Sequence, residues 1–403
     1  MASTSPSWPE GPSLPSLVGT DGAFTFDSIS RRLVLIAEEI LHHASPPLPA
    51  ATVAALRALQ ADITSNAALP DLDTEDTAED GWACWAPPAP PTNTWLSAPW
   101  FAIENLFYRR VRDALRAGGL PPTFDVCAPQ KAASLASAAG AFEARVLPLC
   151  DAASPPDLRA LLMRSLWGNR ADLSLHTVAA LAAGGAREEG ADALLADDSV
   201  AAAAALSAAR GRVGVLLDNC GLELLSDLAL ADGLLRQGGV ASVELWAKAR
   251  PVFVSDVLEG EDVAQHCAWL AARGGAASAL AARLQAARAE GRLVLRTHAF
   301  LSGPHAFWDM PADLRVDLAA CDLVIAKGDA MYRRLLGDRH WPHDTPFTHA
   351  TRYFPAPLCA LRTAKSGCVV GVTRAREEAA AVDPQWLTSG EFGVVQVGGS
   401  GGW

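Results

Sequence analysis

The stretch Val213–Leu235, VGVLLDNCGLELLSDLALADGLL, passes from a short apolar run through the polar pair Asp218-Asn219 and a glycine into leucines at helical spacing. A β-prone run too short for a helix, a polar turn and then a helical pattern is the wording of a strand followed by its crossover helix. The same wording returns further along the chain. Asp256 follows PVFVS, Lys327-Gly328-Asp329 follows LVIA, and Arg362 to Lys365 close an apolar stretch that starts at Leu358. Ligands of open α/β sheets bind outside the carboxyl ends of the strands, so these clusters are the candidate site.

Working outward, strands are predicted at 212–217, 242–246, 251–255, 292–297, 321–326, 357–361 and 368–372, with helices at 221–236, 260–289 and 329–336. Upstream the patterning is helical: ISRRLVLIAEEILHHA near Ser28, residues 50–65, then PWFAIENLFYRRVRDALRAGG, about Lys131 to Ala144, and Pro156 to Leu166. The fold class is α/β: a helical N-terminal domain packed on a doubly wound, largely parallel sheet domain. Residues 1–25 read as a flexible Ser- and Pro-rich lead, 26–205 as the mainly helical domain, and 206–403 as the α/β domain that binds metal and substrate.

The composition excludes several classes. A net charge of -12 lacks the basic footprint that a nucleic-acid partner requires. Apolar stretches are interrupted well short of the roughly 20 residues of a membrane span, so no membrane partner is expected. The eight cysteines are scattered without a CxxC pair, the pattern of reduced thiols, and no basic start followed by an apolar run opens the chain; cytoplasm is the expected compartment. There is no P-loop string, and the G-x-S-x-G at Gly398–Gly402 lies at the chain end, with no helix to follow it. His340, His343 and His349, with Asp344, lack ligand spacing and read as surface or packing residues; the acidic run Asp71 to Asp80 reads as a solvated loop.

Two carboxylates and an amide oxygen, from Asp218, Asn219 and Asp256, suit a hard divalent cation that keeps positions open for water and substrate. The same residue types favour helix N-caps, so each alone is equally well read as a cap. Asn169 and Asp172, after Trp167-Gly168, line a site or form a turn. Glu104, Arg109 and Arg110 could reach the site from the helical region or form a solvated face.

Several of these strings in order, LLDNCGLELLSDLALADGLL, KARPVFVSDV, KGDAMYRRLLGDRHW and LRTAK, resemble the metal-dependent damage-control phosphatase family, in the branch also described as protein-glutamate O-methyltransferases. PWFAIENLFYRRV and SLWGNRADLSL extend the resemblance upstream, over roughly residues 95 to 375. The resemblance implies a metal site on Asp218, Asn219 and Asp256. It implies catalytic roles for these three and Asp329, and substrate binding by Asp218, Asn219, Asp329, Ala330, Met331, Tyr332, Arg333 and Lys365. Under the methyltransferase description, Glu223 and Asp256 would contact S-adenosylmethionine. Met331 stands where the family's motif has asparagine, and a thioether cannot replace an amide's donors and acceptor. Glu104–Arg110 likewise departs from the family's Glu-Cys-Tyr-x-Tyr-Arg-Arg wording.

The function implied is hydrolysis of small phosphometabolites, by resemblance sugar phosphates such as fructose 1-phosphate or fructose 6-phosphate. It would use a metal-activated water, with Mn²⁺, Ni²⁺, Co²⁺ or Mg²⁺ as the ion and Lys365 and Arg333 neutralising phosphoryl oxygens. Asp329 would orient the water or bind a sugar hydroxyl. The alternatives are S-adenosylmethionine-dependent carboxyl methylation and a catalytically weakened, metal-dependent binding protein, the last suggested by Met331.

Overall fold

A computed structural model describes residues 11–44, 47–72, 81–82, 85–169 and 193–400. Cys84, Asp172, Asp73–Asp80 of the acidic run, Arg170–Leu175 of the Trp-Gly-Asn segment and Gly401-Gly402 lie outside the described residues. Seven strands, β1 (Leu194–Asp197), β2 (Arg212–Leu216), β3 (Ser242–Lys248), β4 (Leu293–His298), β5 (Cys321–Lys327), β6 (Pro357–Thr363) and β7 (Gly393–Gly399), form one sheet in the order β1-β7-β6-β5-β2-β3-β4. Strands β2 to β6 run parallel; β7 is antiparallel to β6 and pairs in parallel with β1. From β2 the chain winds outward through β3 and β4, then returns to β5 on the other side of β2. The order therefore reverses between β2 and β5, and such a reversal opens a crevice at the strands' carboxyl ends.

Both sheet faces are covered, as the near-continuous apolar strands require. Alternate residues of one strand enter different cores: Val213 and Val215 of β2 face one, Leu216 the other, and Leu323 and Ile325 of β5 are separated likewise from Val324 and Ala326. One core belongs to the helical region: α1 (Leu33–His43), α2 (Ala50–Thr64) and α3 (Trp100–Ala117). Helix α3 is buried on nearly every side, including Glu104, Asn105 and Arg109, because it lies between α1 and α2 and the segments beyond the sheet, where Arg112 donates to Pro251 O at 2.9 Å and Phe101 N–H to Asp338 Oδ2 at 3.0 Å. The opposite core is built from α4 (Leu158–Gly168), α5 (Leu222–Arg236), α6 (Glu261–Ala272) and α7 (Gly275–Ala289).

Four expectations need correction. The 251–255 run is not a strand but a loop folded back across the end of β2, where Cys220 N–H donates to Ser255 O at 2.7 Å and Val257 N–H to Asp218 O at 2.8 Å. Phe253, at φ 56°, breaks the extended path. Residues 368–372 are a buried loop without ladder pairing; Gly371 and Val372 donate instead to Thr345 O and His343 O. The missed strands are β1 and β7. The single helix read over 260–289 is divided at Gly274, which sits at φ 72°. Finally, the N-terminal lead is docked from Pro12 onward: Leu17 is buried, and its N–H donates to Asp338 O while its carbonyl accepts from Trp100 N–H, both at 2.8 Å.

Candidate active site

The crevice between β2 and β5 holds a cleft of about 470 Å³, open solvent at its entrance included. Its buried walls carry Asp218 and Asn219 from the β2–α5 turn, Asp256 from the folded-back loop, and Lys365 from the end of β6. Trp100 and Glu104 reach it from α3, and Arg333 from α8 (Gly328–Leu336). The half-buried residues of the lining are Arg32, Phe253, Asp329 and Ala330, which form the mouth.

Two close approaches create the polar floor. Asn219 and Asp256 form an isolated antiparallel bridge, so the loop after β3 delivers its carboxylate beside the turn after β2. Gly328 begins α8 at φ 77°, and a Cβ there would lie 1.7 Å from Asp218 Oδ2. Only glycine permits both that backbone angle and that contact.

Each acidic group is held by named donors. Asp218 Oδ2 accepts from Asn169 Nδ2 and Asn219 Nδ2, both at 2.7 Å. Asp256 pairs with the buried Lys248 at 3.0 Å, and Lys248 also donates to Leu217 O at 3.0 Å. Asp329 Oδ1 accepts from Arg362 Nε at 2.7 Å, and from Lys365 N–H and Ser366 Oγ at 3.2 Å. Arg362 in turn donates to Ser366 O and Cys368 O and lies over Tyr332 at 4.5 Å, tying Asp329 to the loop that carries Lys365.

Beneath the floor lies a second, closed network. Glu223 is 1% exposed and accepts from Lys327 Nζ at 2.8 Å, Asn169 Nδ2 at 2.6 Å and Asn219 Nδ2 at 2.9 Å. Neighbouring Asp227 accepts from Ser165 Oγ at 2.5 Å, and burial pushes its carboxyl up to about 7 against the opposing pull of Lys327.

The structure thus gathers Asp218, Asn219, Asp256, Asp329, Ala330, Arg333 and Lys365 at one cleft, and leaves three expected residues out of its lining. Met331 is 1% exposed within the apolar core, so its thioether is a packing group rather than a replacement for an amide facing substrate. Tyr332 is equally buried, its hydroxyl donating to Gln396 Oε1 at 2.7 Å. Glu223 belongs to the closed network. On α3, positions three and four residues apart share a face, so Glu104 reaches the cleft while Arg109 turns to Asp113 and lies over Trp82 at 5.9 Å. His340 and His343 pair with Asp21 and Glu377, outside the cleft.

Sequence reading missed Arg32, Trp100 and Phe253, and left Asn169 open between turn and site. Asn169 is a hub behind the floor: besides its two carboxylate partners, it accepts from Thr363 Oγ1 at 2.6 Å and, through its carbonyl, from Lys365 Nζ at 2.8 Å. The adjacent glycine was the available signal, since a Cβ on Gly168 would meet the Glu223 backbone at 2.8 Å. Arg333 is committed on both sides: its fork grips Asp338 at 2.8 and 2.9 Å, Nη1 reaches Glu104 at 2.5 Å, and the guanidinium lies over Trp100 at 4.0 Å. Arg32 meets the same Glu104 at 2.6 Å.

Among the described residues no three His, Cys, Asp or Glu side chains converge as a metal cluster. The donor set at the floor is instead two carboxylates and one amide, with Asn219 Oδ1 accepting from Ser255 Oγ at 2.6 Å. It fits a hard cation whose shell is completed by water and substrate oxygens, and not a thiophilic one.

Comparison with known proteins gives the family. The model of the damage-control phosphatase ARMT1-like domain matches residues 31–380. Damage-control phosphatase ARMT1 of Danio rerio is 33% identical over 341 residues, covering 75% of this chain and 74% of that protein. The Mus musculus protein of that name is 32% identical over 338 residues, covering 76% and 75%, and the Homo sapiens one 30% identical over 344 residues, with the same coverage. Among solved structures, a DUF89 family protein from Pyrococcus horikoshii covers 85% of this chain and 92% of its own, with a TM-score of 0.47 and 13% identity. On the matched span and the identity of these relatives, the chain belongs to the ARMT1-like damage-control phosphatase family, a family of phosphatase enzymes.

Proposed function

We propose that the protein is a metal-dependent phosphatase of small phosphometabolites, with sugar phosphates such as fructose 1-phosphate and fructose 6-phosphate as its substrates. The observation that carries this reading is the meeting of hard oxygen donors with the cations Lys365 and Arg333 in one cleft at the strand switch point. Oxygen donors alone describe a cation site and cations alone an anion site; a phosphate ester handled with a divalent ion needs both.

In this reading Asp218, Asn219 and Asp256 hold the ion, which is Mg²⁺, Mn²⁺, Co²⁺ or Ni²⁺. When bound, it supplies Lewis-acid polarisation of a phosphoryl oxygen and a water of lowered pKa. Lys365, its ammonium anchored on Asn169 O, presents a point charge to the phosphoryl group. Arg333 adds positive potential, but Asp338 occupies its fork, so it does not grip phosphate bidentately. Asp329, fixed on Oδ1 by Arg362, is an acceptor at the mouth for the attacking water or a sugar hydroxyl.

Neither alternative has an observation in its favour. Of the two cofactor contacts of the methyl-transfer reading, Glu223 is enclosed by Lys327, Asn169 and Asn219, while Asp256 lines the cleft and serves the metal reading equally; the residue that suggested a weakened binding protein, Met331, lies in the core. No helix among the described residues is long and apolar enough to cross a membrane. Seven free cysteines among those residues support a reducing compartment, which we take to be the cytoplasm.

The test is phosphate release from a panel of sugar phosphates by metal-stripped protein resupplied with each divalent ion. Asp256→Ala is expected to abolish metal-dependent release. Unchanged hydrolysis in that variant would remove Asp256 from the site.

A further inference from the structure

The division of the cleft into a buried floor and a half-buried mouth orients a phosphate ester. The metal-suited donors and Lys365 lie on the buried walls, so the phosphoryl end belongs there and the leaving group must extend to the mouth, where Arg32, Phe253, Asp329 and Ala330 are the partly exposed residues. The charges at the mouth are already compensated: Arg32 is met by Glu104 at 2.6 Å and Asp329 by Arg362 at 2.7 Å. Among the described residues, what the mouth offers besides is hydrogen-bonding capacity and the ring of Phe253.

That ring is held in an unfavourable backbone conformation. Phe253 is a bulky residue at φ 56°, in the left-handed region that side chains with a Cβ rarely adopt. Its ring packs on two aromatics of α3, with centroids 5.3 Å from Tyr108 and 6.3 Å from Phe101, so the helical region fixes where the ring stands. The loop could relax if position 253 were glycine, yet the chain keeps a phenylalanine three positions before Asp256.

We propose that Phe253 is the residue that selects the leaving group, and that the leaving group it fits is an uncharged polyol. The inference rests on the phosphatase reading and deepens it. The ring covers the C–H face of the polyol, while Arg32 donates to hydroxyls and Asp329 accepts from them. Among the described residues of the mouth a second phosphate or a carboxylate on the substrate gains no unpaired cation, so anionic leaving groups are discriminated against.

The experiment compares parent, Phe253→Gly and Phe253→Leu. It measures kcat and KM for fructose 6-phosphate and for 6-phosphogluconate, and the competitive inhibition constant of inorganic phosphate. Phosphate has no leaving group and reports on the floor alone. Glycine is compatible with the backbone angle, so Phe253→Gly folds; Phe253→Leu keeps apolar bulk without the ring, and thermal melts accompany both.

The parent is expected to prefer fructose 6-phosphate over its anionic counterpart. Both variants raise KM for fructose 6-phosphate about tenfold, the scale of one lost apolar contact in a specificity pocket, while the phosphate inhibition constant moves far less. If the phosphate constant rises in step with KM, or KM does not move, Phe253 does not select the leaving group. A parent that prefers 6-phosphogluconate refutes the uncharged polyol. A parent that releases phosphate from neither ester with any metal overturns the phosphatase reading and this inference with it.

Discussion

Placing a methyl group on Gly328 tests the central geometric claim, that Asp218 sits directly against the start of α8. The added Cβ would stand 1.7 Å from Asp218 Oδ2 and 2.2 Å from its Cγ, so the carboxylate must move. Two effects combine, and the protein contains its own control. Gly238 has the same φ of 77° with nothing within 4 Å of a Cβ, so Gly238→Ala isolates the dihedral cost, about 1–2 kcal/mol for a left-handed residue with a side chain. Gly328→Ala carries that cost plus the overlap, which at the scale of core overpacking adds about 1–3 kcal/mol. Equilibrium urea unfolding of both variants, with phosphate release measured in parallel, separates the two contributions. Gly238→Ala is expected to lose only the smaller increment and to keep its activity. Gly328→Ala should lose the larger one and, because the displaced Asp218 leaves the floor, about 100-fold in kcat/KM. Equal destabilisation of the two, with full activity in Gly328→Ala, would refute the contact and with it the floor as described.

Two further outcomes follow from the same geometry. Met331→Asn restores the asparagine of the family's motif but places an amide in the apolar core; it is expected to destabilise by about 1–3 kcal/mol without lowering KM, and kinetics showing a tighter KM would return position 331 to the substrate. His266 is held neutral, with Nε2 accepting from Gly221 N–H at 2.8 Å and the other ring nitrogen paired with Asp262 O at 2.7 Å. Burial pulls its pKa from 6.5 down to about 4, against the raising effect of the Asp262 carbonyl. A depressed folded-state value favours the neutral ring, so this contribution is complete above pH 6.5 and is lost as pH falls toward 4, about 3 kcal/mol in all. A pH titration of the His266 ring by NMR that gave an ordinary value near 6.5 would contradict it.

Local sequence determined the parts of this protein whose structure depends on neighbours along the chain. The runs at 212–217, 321–326 and 357–361 and the helices that follow the first two were legible because a polar turn interrupts each apolar pattern. Asp218, Asn219, Asp329 and Lys365 were legible as candidates because they stand in those turns, and Asp256 because it closes the apolar PVFVS run. PVFVS misled for a tertiary reason: Val252 and Val254 are apolar because they are buried in the core beside the helical region, while Phe253 reverses the backbone between them. The 368–372 loop misled in the same way, since its polar backbone groups are satisfied by loop carbonyls and by the side chains of Tyr332, Arg362 and Gln396 rather than by a ladder. Strand β7 is recognised only when β6 and β1 are in place to pair with it. The cleft mouth was equally out of reach, because Arg32 and Phe253 are separated by more than two hundred residues and nothing in either local pattern says that they share a wall. Met331 shows the remaining difference: sequence placed a thioether inside the motif, and only the packing of α8 against the core decided that this side chain lies outside the cleft lining.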